Sequence, residues 1–105
     1  MGKSPQRKGA NGERELANIL KEYGFGVRRG QVFNHESDMV GLEGIHPEVK
    51  RVEKLNVSAA MKQAVTEARI RKDGTPTVFH RRNYEDWLVT MRLEDWIELY
   101  RKWKQ

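Results

Sequence analysis

The chain has no cysteine in its 105 residues. This excludes disulfides, thiolate metal sites and a cysteine nucleophile. No apolar run approaches the length that spans a bilayer. The opening stretch MGKSPQRKGANGE also lacks the apolar core of a secretory signal. The expectation is therefore a cytoplasmic protein with no membrane partner. Hydrophobic residues are scarce, at 37%, yet three Trp, three Tyr and three Phe can anchor a modest core. The length fits one domain. What the chain does have is positive charge, a net +5 and a pI near 9.7. Such a balance favours polyanions, chiefly nucleic acid, through phosphate contacts. Charge alone weighs this reading no higher than that of a soluble protein that happens to be basic.

Residues 1–8 carry Lys3, Arg7 and Lys8 around Ser4-Pro5 and read as a flexible basic arm. From about Gly9 to Tyr23, Leu16, Ile19, Leu20 and Tyr23 recur with helical spacing, and Gly24 stops the helix. Segments 25–29 (FGVRR), 37–42 (SDMVGL) and 45–52 (IHPEVKRV) read as strands. A turn at Glu43-Gly44 makes the last two a hairpin. A second helix is expected over Val57–Lys72, with Val57, Ala60, Met61, Ala64, Val65 and Ala68 on one face. It ends at Asp73-Gly74. TPTVFHR (75–81) and DWLVTM (86–91) read as strands, and Leu93, Trp96, Ile97 and Tyr100 mark a closing amphipathic helix. The order α-β-β-β-α-β-β-α implies a mixed α/β (α+β) domain over residues 9–105, with a central mixed sheet flanked by helices.

One acidic set stands out. On a helical wheel Glu13 lies on the side of Leu16 and Leu20, whereas Glu15 and Glu22 point to water. A carboxylate aimed at the core needs a partner, although a place in the first helical turn would also explain it. Asp38 opens an otherwise apolar strand, where Asp is disfavoured. Glu48 and Lys50 stand two apart and so share a strand face. The expected hairpin brings Asp38 opposite them within about a residue of register. Repelling carboxylates beside one lysine suit a hard cation with oxygen ligands. With such a cation the set amounts to a phosphodiester hydrolysis kit. Pro47 has no N–H to give a neighbour, so its strand is expected at an edge.

With these residues in hand, the chain resembles the PD-(D/E)XK nuclease superfamily, most closely its archaeal-type Holliday junction resolvases and the small phage endonucleases related to them. KGANGERELANILKEYGFGVRR is similar to that branch's first helix and strand, and SDMV and EVK match its two strand motifs in order. The likeness runs over roughly residues 8–80. It implies a restriction-endonuclease-like core, α-β-β-β-α-β, with a C-terminal strand and helix added. It also implies a prokaryotic, archaeal or phage-encoded DNA endonuclease that uses Mg²⁺, with Mn²⁺ as a substitute, and acts on branched DNA as a homodimer. Carried over by residue, Glu13, Asp38 and Glu48 bind or position metal, and Lys50 assists the nucleophilic water. Arg14 and Arg29 match basic positions that contact DNA. Ser37 stands where the first motif has proline.

Further DNA-binding candidates are Arg28, His35, Lys62 and Gln63. Gln63 lies at the edge of its helix's apolar face, within reach of the site, but a solvated position is the simpler reading. His35 in its loop can meet a phosphate or do nothing, and His46 has no evident partner. Arg28-Arg29, Arg81-Arg82 and the tail RKWKQ together give a basic stripe. The Trp96, Ile97 and Tyr100 face reads as core or dimer interface. Two rival readings stand beside the branched-DNA nuclease. One is a nuclease on duplex, flap or single-stranded DNA, and the other is a non-catalytic basic DNA-binding module on the same fold.

Overall fold

A computed structural model describes residues 5–105. Helix α1 spans Pro5–Glu22 and so begins within the stretch expected as a basic arm. Residues 1–4 of that arm lie outside the described residues. At the far end of α1, Gly24 takes φ +95°. The Phe25 N–H donates to the Leu20 carbonyl at 3.1 Å and the Gly24 N–H to Lys21 at 2.9 Å. That pair of bonds closes the helix as a Schellman motif. Tyr23 falls in this turn and is exposed rather than part of the apolar face.

Strand β1 (Arg28–Arg29) pairs antiparallel with β2 (Met39–Val40). Strand β3 (Ile45–Arg51) pairs in parallel with β4 (Thr75–Arg81), and β4 pairs antiparallel with β5 (Leu88–Met91). The expected β2–β3 hairpin is therefore not formed, and the central sheet divides into a two-stranded piece and a three-stranded mixed piece. The turn itself is present, with Ile45 N–H donating to the Leu42 carbonyl at 3.0 Å. Gly41, however, sits at φ +117°, and a Cβ there would lie 2.4 Å from the Gly26 carbonyl oxygen. The chain thus bends away after Val40, and β2 stays with β1.

Helix α2 runs over Val57–Arg71. Its N-cap, Asn56, accepts the Ala59 N–H at 2.9 Å, and Lys72 ends it in the left-handed conformation. Ala60, Ala64 and Ala68 form its buried stripe, and the first two pack with Val78 of β4. On the other face, Leu16 and Ala17 of α1 pack with Val27, Met39 and Val49. Because side chains alternate along a strand, His46, Glu48 and Lys50 share the α2 side of β3, and Val49 the α1 side. Helix α3 (Leu93–Lys104) closes the chain and buries none of its residues.

Candidate active site at the open edge of β3

Strand β3 is the outer strand of its sheet, as Pro47 implies. The Val49 N–H points away from β4 and finds a side chain instead of a strand, donating to Asp38 Oδ2 at 2.8 Å. Pro47 lies two residues earlier, so its missing N–H falls on the same edge. Asp38 thus replaces a neighbouring strand, and this is how the chain holds an aspartate at the end of an apolar segment.

The edge position lets Asp38 meet groups from both faces. Glu13 approaches from α1 and Glu48 from β3. Burial pushes the Asp38 carboxyl up to about 7, and the Glu48 and Glu13 carboxylates push the same way against the Val49 hydrogen bond. Glu13 is also raised, chiefly by burial and further by Glu48. The opposing pull comes from Arg29, which holds Glu13 Oε1 at 3.2 Å. Lys50 Nζ lies 3.7 Å from Glu48 Oε2 and donates to Gln63 Oε1 at 2.9 Å. Gln63 is therefore not merely solvated: it fixes the lysine.

Behind the acids lies a network that sequence reasoning missed. His46 is 1% exposed. Its Nδ1 lies 2.8 Å from Asp73 Oδ1 and 3.0 Å from Ser37 Oγ. Ser37 Oγ in turn donates to Asp73 Oδ2. On the other side of the ring, Nε2 lies 3.9 Å from Glu48 Oε1 and has no hydrogen-bond partner. At that distance the contact is electrostatic. Burial opposes a charge on His46, but the Glu48 and Asp73 carboxylates outweigh it and raise its pKa. Ser37, at the position where the motif has proline, thus joins β2 to the loop after α2. Its only sequence signal is that departure. A cavity of about 130 Å³ opens here, lined by Ser37, Asp38, His46, Glu48, Gln63, Glu67 and Arg71.

The remaining candidates lie further out. Arg14 is exposed and donates to Asn11 at 3.0 Å. Arg28 grips Glu36 with both terminal nitrogens, at 2.9 and 2.6 Å, which holds the Glu36 carboxyl down at about 2. His35 is exposed at φ 55°, and its carbonyl accepts from Arg71. Lys62 is exposed on α2. Arg81 and Arg82 of the expected stripe are engaged by Glu15 and Glu85. Glu15, expected to face water, instead accepts from Arg81 and, at 3.0 Å, from Trp87 Nε1. Burial raises its pKa, but these bonds and Arg51 outweigh it and lower it.

Among the described residues no three His, Asp or Glu group by themselves as a metal site. The donor set is two carboxylates, Asp38 and Glu48, with Glu13 adjacent but tied to Arg29. Two carboxylates with no nitrogen ligand fit a hard cation such as Mg²⁺, which keeps several waters. Burial lifts Asp38 most, and the like-charge repulsion that adds to it is what such a cation relieves.

The fold is the mixed α/β arrangement of a PD-(D/E)XK-type nuclease. The chain is similar to Hjc, a Holliday junction resolvase of the archaeon Archaeoglobus fulgidus, with a TM-score of 0.59 and 27% identity over 80% of this chain and 72% of that one. No protein-family model matches the chain, and no curated protein does. No helix among the described residues is long and apolar enough to cross a membrane.

Proposed function

We propose that this protein is a divalent-metal-dependent DNA endonuclease that hydrolyses phosphodiester bonds in branched DNA. The observation that carries the reading is the meeting of Asp38 and Glu48 at the open edge of β3, with Lys50 3.7 Å from Glu48. The likeness to a Holliday junction resolvase supports it, as does the net charge of +5.

Asp38 and Glu48 would hold the ion. Mg²⁺ there would supply Lewis acidity to the phosphate and lower the pKa of a coordinated water. Lys50 places a positive charge where the attacked phosphate gains negative charge, and Gln63 keeps its ammonium in place. Arg29 holds Glu13 beside Asp38. The Ser37–Asp73–His46 network orients the ring behind Glu48. Arg14, Arg28, His35 and Lys62 would serve as phosphate contacts.

The test is cleavage of a labelled four-way junction with Mg²⁺, beside linear duplex, flap and single-stranded substrates. Cleavage preferring the junction is expected. Asp38→Asn and Lys50→Ala should each lower the rate by ~10²–10³-fold or more. Undiminished activity in both variants would sink the site assignment. Equal rates on junction and linear duplex would reject branched-DNA selectivity. Absence of any cleavage, with no Mg²⁺ or Mn²⁺ binding by calorimetry, would favour a non-catalytic DNA-binding module.

A further inference from the structure

A cavity of about 670 Å³, far larger than the one at the acids, opens at the C-terminal ends of the parallel strands β3 and β4. It lies between the start of α2 and the start of β5 and takes no part in the site described above. Val52, Leu55, Val57 and Leu88 give it an apolar lining. His80 adds a ring whose Nε2 lies 2.8 Å from Thr90 Oγ1. Burial lowers the pKa of that ring, so it is uncharged at neutral pH. The charged groups of the rim balance, with Lys54, Arg81 and Arg82 against Glu53, Glu85 and Asp86. Arg51 meets Glu53 at 3.6 Å and Arg82 meets Glu85 at 2.8 Å. In a chain of net charge +5, a charge-balanced and apolar-lined cleft is not built for phosphate. It suits an uncharged planar group, and its volume falls in the range of small-ligand sites.

The place of the cleft says where that group comes from. His80 is the ladder partner of Lys50. Val78 packs against α2, so His80, two residues on, faces the same side of the sheet as Lys50. Neighbouring strands lie about 4.8 Å apart. A DNA strand whose phosphate meets Lys50 therefore has its adjoining nucleotide at the mouth of the cleft. The rim also carries a bare ring. Tyr84, between Arg82 and Glu85, is 99% exposed and takes φ 61°. Bulky residues seldom adopt that backbone. The turn holds it there. Asn83 N–H donates to Glu53 Oε2 at 2.9 Å, Glu85 N–H to the Arg82 carbonyl at 3.2 Å, and Arg81 Nε to the Glu85 carbonyl at 2.6 Å. Positions over-determined in this way cluster at ligand clamps. A fixed, exposed aromatic ring beside an apolar cleft is a stacking platform for a base.

We infer that the cleft at the ends of β3 and β4 receives an unpaired nucleobase of the DNA strand held at Lys50, with Tyr84 as a stacking platform at its rim. This rests on the nuclease reading in taking Lys50 as the point where the strand is held, but its test reads binding without cleavage. In chelator, fluorescence anisotropy compares a labelled branched DNA carrying unpaired thymidines at the branch with the same DNA abasic at those positions. The base-bearing DNA should bind about 5–150-fold more tightly. Tyr84→Leu and Leu88→Asn should each cut that preference by about 5-fold or more, and Tyr84→Phe should keep it. Both side chains are exposed, Leu88 by 56%, so neither change opens the core. Affinity for the abasic DNA should be the same in every protein. Equal affinity of the wild type for the two DNAs overturns the inference. So does full preference retained in both Tyr84→Leu and Leu88→Asn. Base preference without cleavage in Mg²⁺ supports the cleft and counts against the nuclease reading, and cleavage without base preference does the reverse.

Discussion

The open edge of β3 buries charge, and α3 exposes aromatic rings. Each region inverts the usual partition of polar and apolar groups. At β3, Asp38, Glu48 and His46 are withdrawn from water beside an outer strand. At α3, two tryptophans and a tyrosine stand in it. The two regions are also built differently. The acids sit on elements that pack tightly, with α1 crossing β3 so closely that a Cβ on Gly12 would lie 2.5 Å from the Arg51 Cβ. The rings sit on a helix that contributes nothing to the core. Rigid support suits a site whose groups must hold repelling charges in place.

The largest effect that separates the regions is on chemistry. Removal of Mg²⁺ by chelation should abolish junction cleavage, and Glu48→Gln should lower it by ~10²–10³-fold, checked by single-turnover kinetics. On stability, Gly12→Ala should cost ~1–3 kcal/mol by forcing α1 off β3, despite alanine's better helix propensity. Trp103→Ala, at an exposed ring, should stay within ~0.5 kcal/mol. Urea unfolding of the two variants checks the contrast.

Asp38 gives a pH dependence of definite sign. Its folded pKa is raised from 3.8 to about 7. Between those values the native state keeps a proton that the unfolded state has released, so this group's contribution to stability falls as pH rises from 3.8 towards 7. Asp38→Asn should therefore be more stable than wild type by roughly 1–3 kcal/mol at pH 8, with the gain fading in acid. Mg²⁺ should raise the melting temperature of wild type and not that of the variant. The smallest effect is on affinity. Lys62→Ala should reduce the salt slope of DNA binding by about 1, whereas Lys102→Ala leaves it unchanged. A titration of binding against salt reads both.

Much of the fold was legible in periodicity. The order of elements followed from it, and β4 fell on the expected residues because TPTVFHR is bounded by Asp73-Gly74 and a charged stretch. The pairing of strands was not legible. A tight turn at Glu43-Gly44 looks the same whether or not its arms form a ladder, and the bend at Gly41 and the bond from Val49 to Asp38 decide that they do not. Glu13 and Asp38 were singled out because carboxylates are disfavoured where they stand, and Glu48 because it shares a strand face with Lys50. Ser37, His46 and Asp73 were missed because their bonds join positions up to 36 apart in sequence, and no local pattern announces such a network. Glu15 was misplaced for the same reason, since Arg81 and Trp87 reach it from the far end of the chain. The amphipathicity of α3 was plain, but periodicity marks an apolar face without saying what covers it.

The most direct measurement on the site is the titration of the Asp38 carboxyl by carbon-detected NMR, with and without Mg²⁺. Without the ion its titration should centre near pH 7, where burial and the neighbouring carboxylates hold it. With Mg²⁺ present it should move back towards the ordinary carboxylate range, as a cation takes the place of the proton. An Asp38 that titrates near its usual 3.8 and does not respond to Mg²⁺ would contradict a metal-dependent site at the open edge of β3.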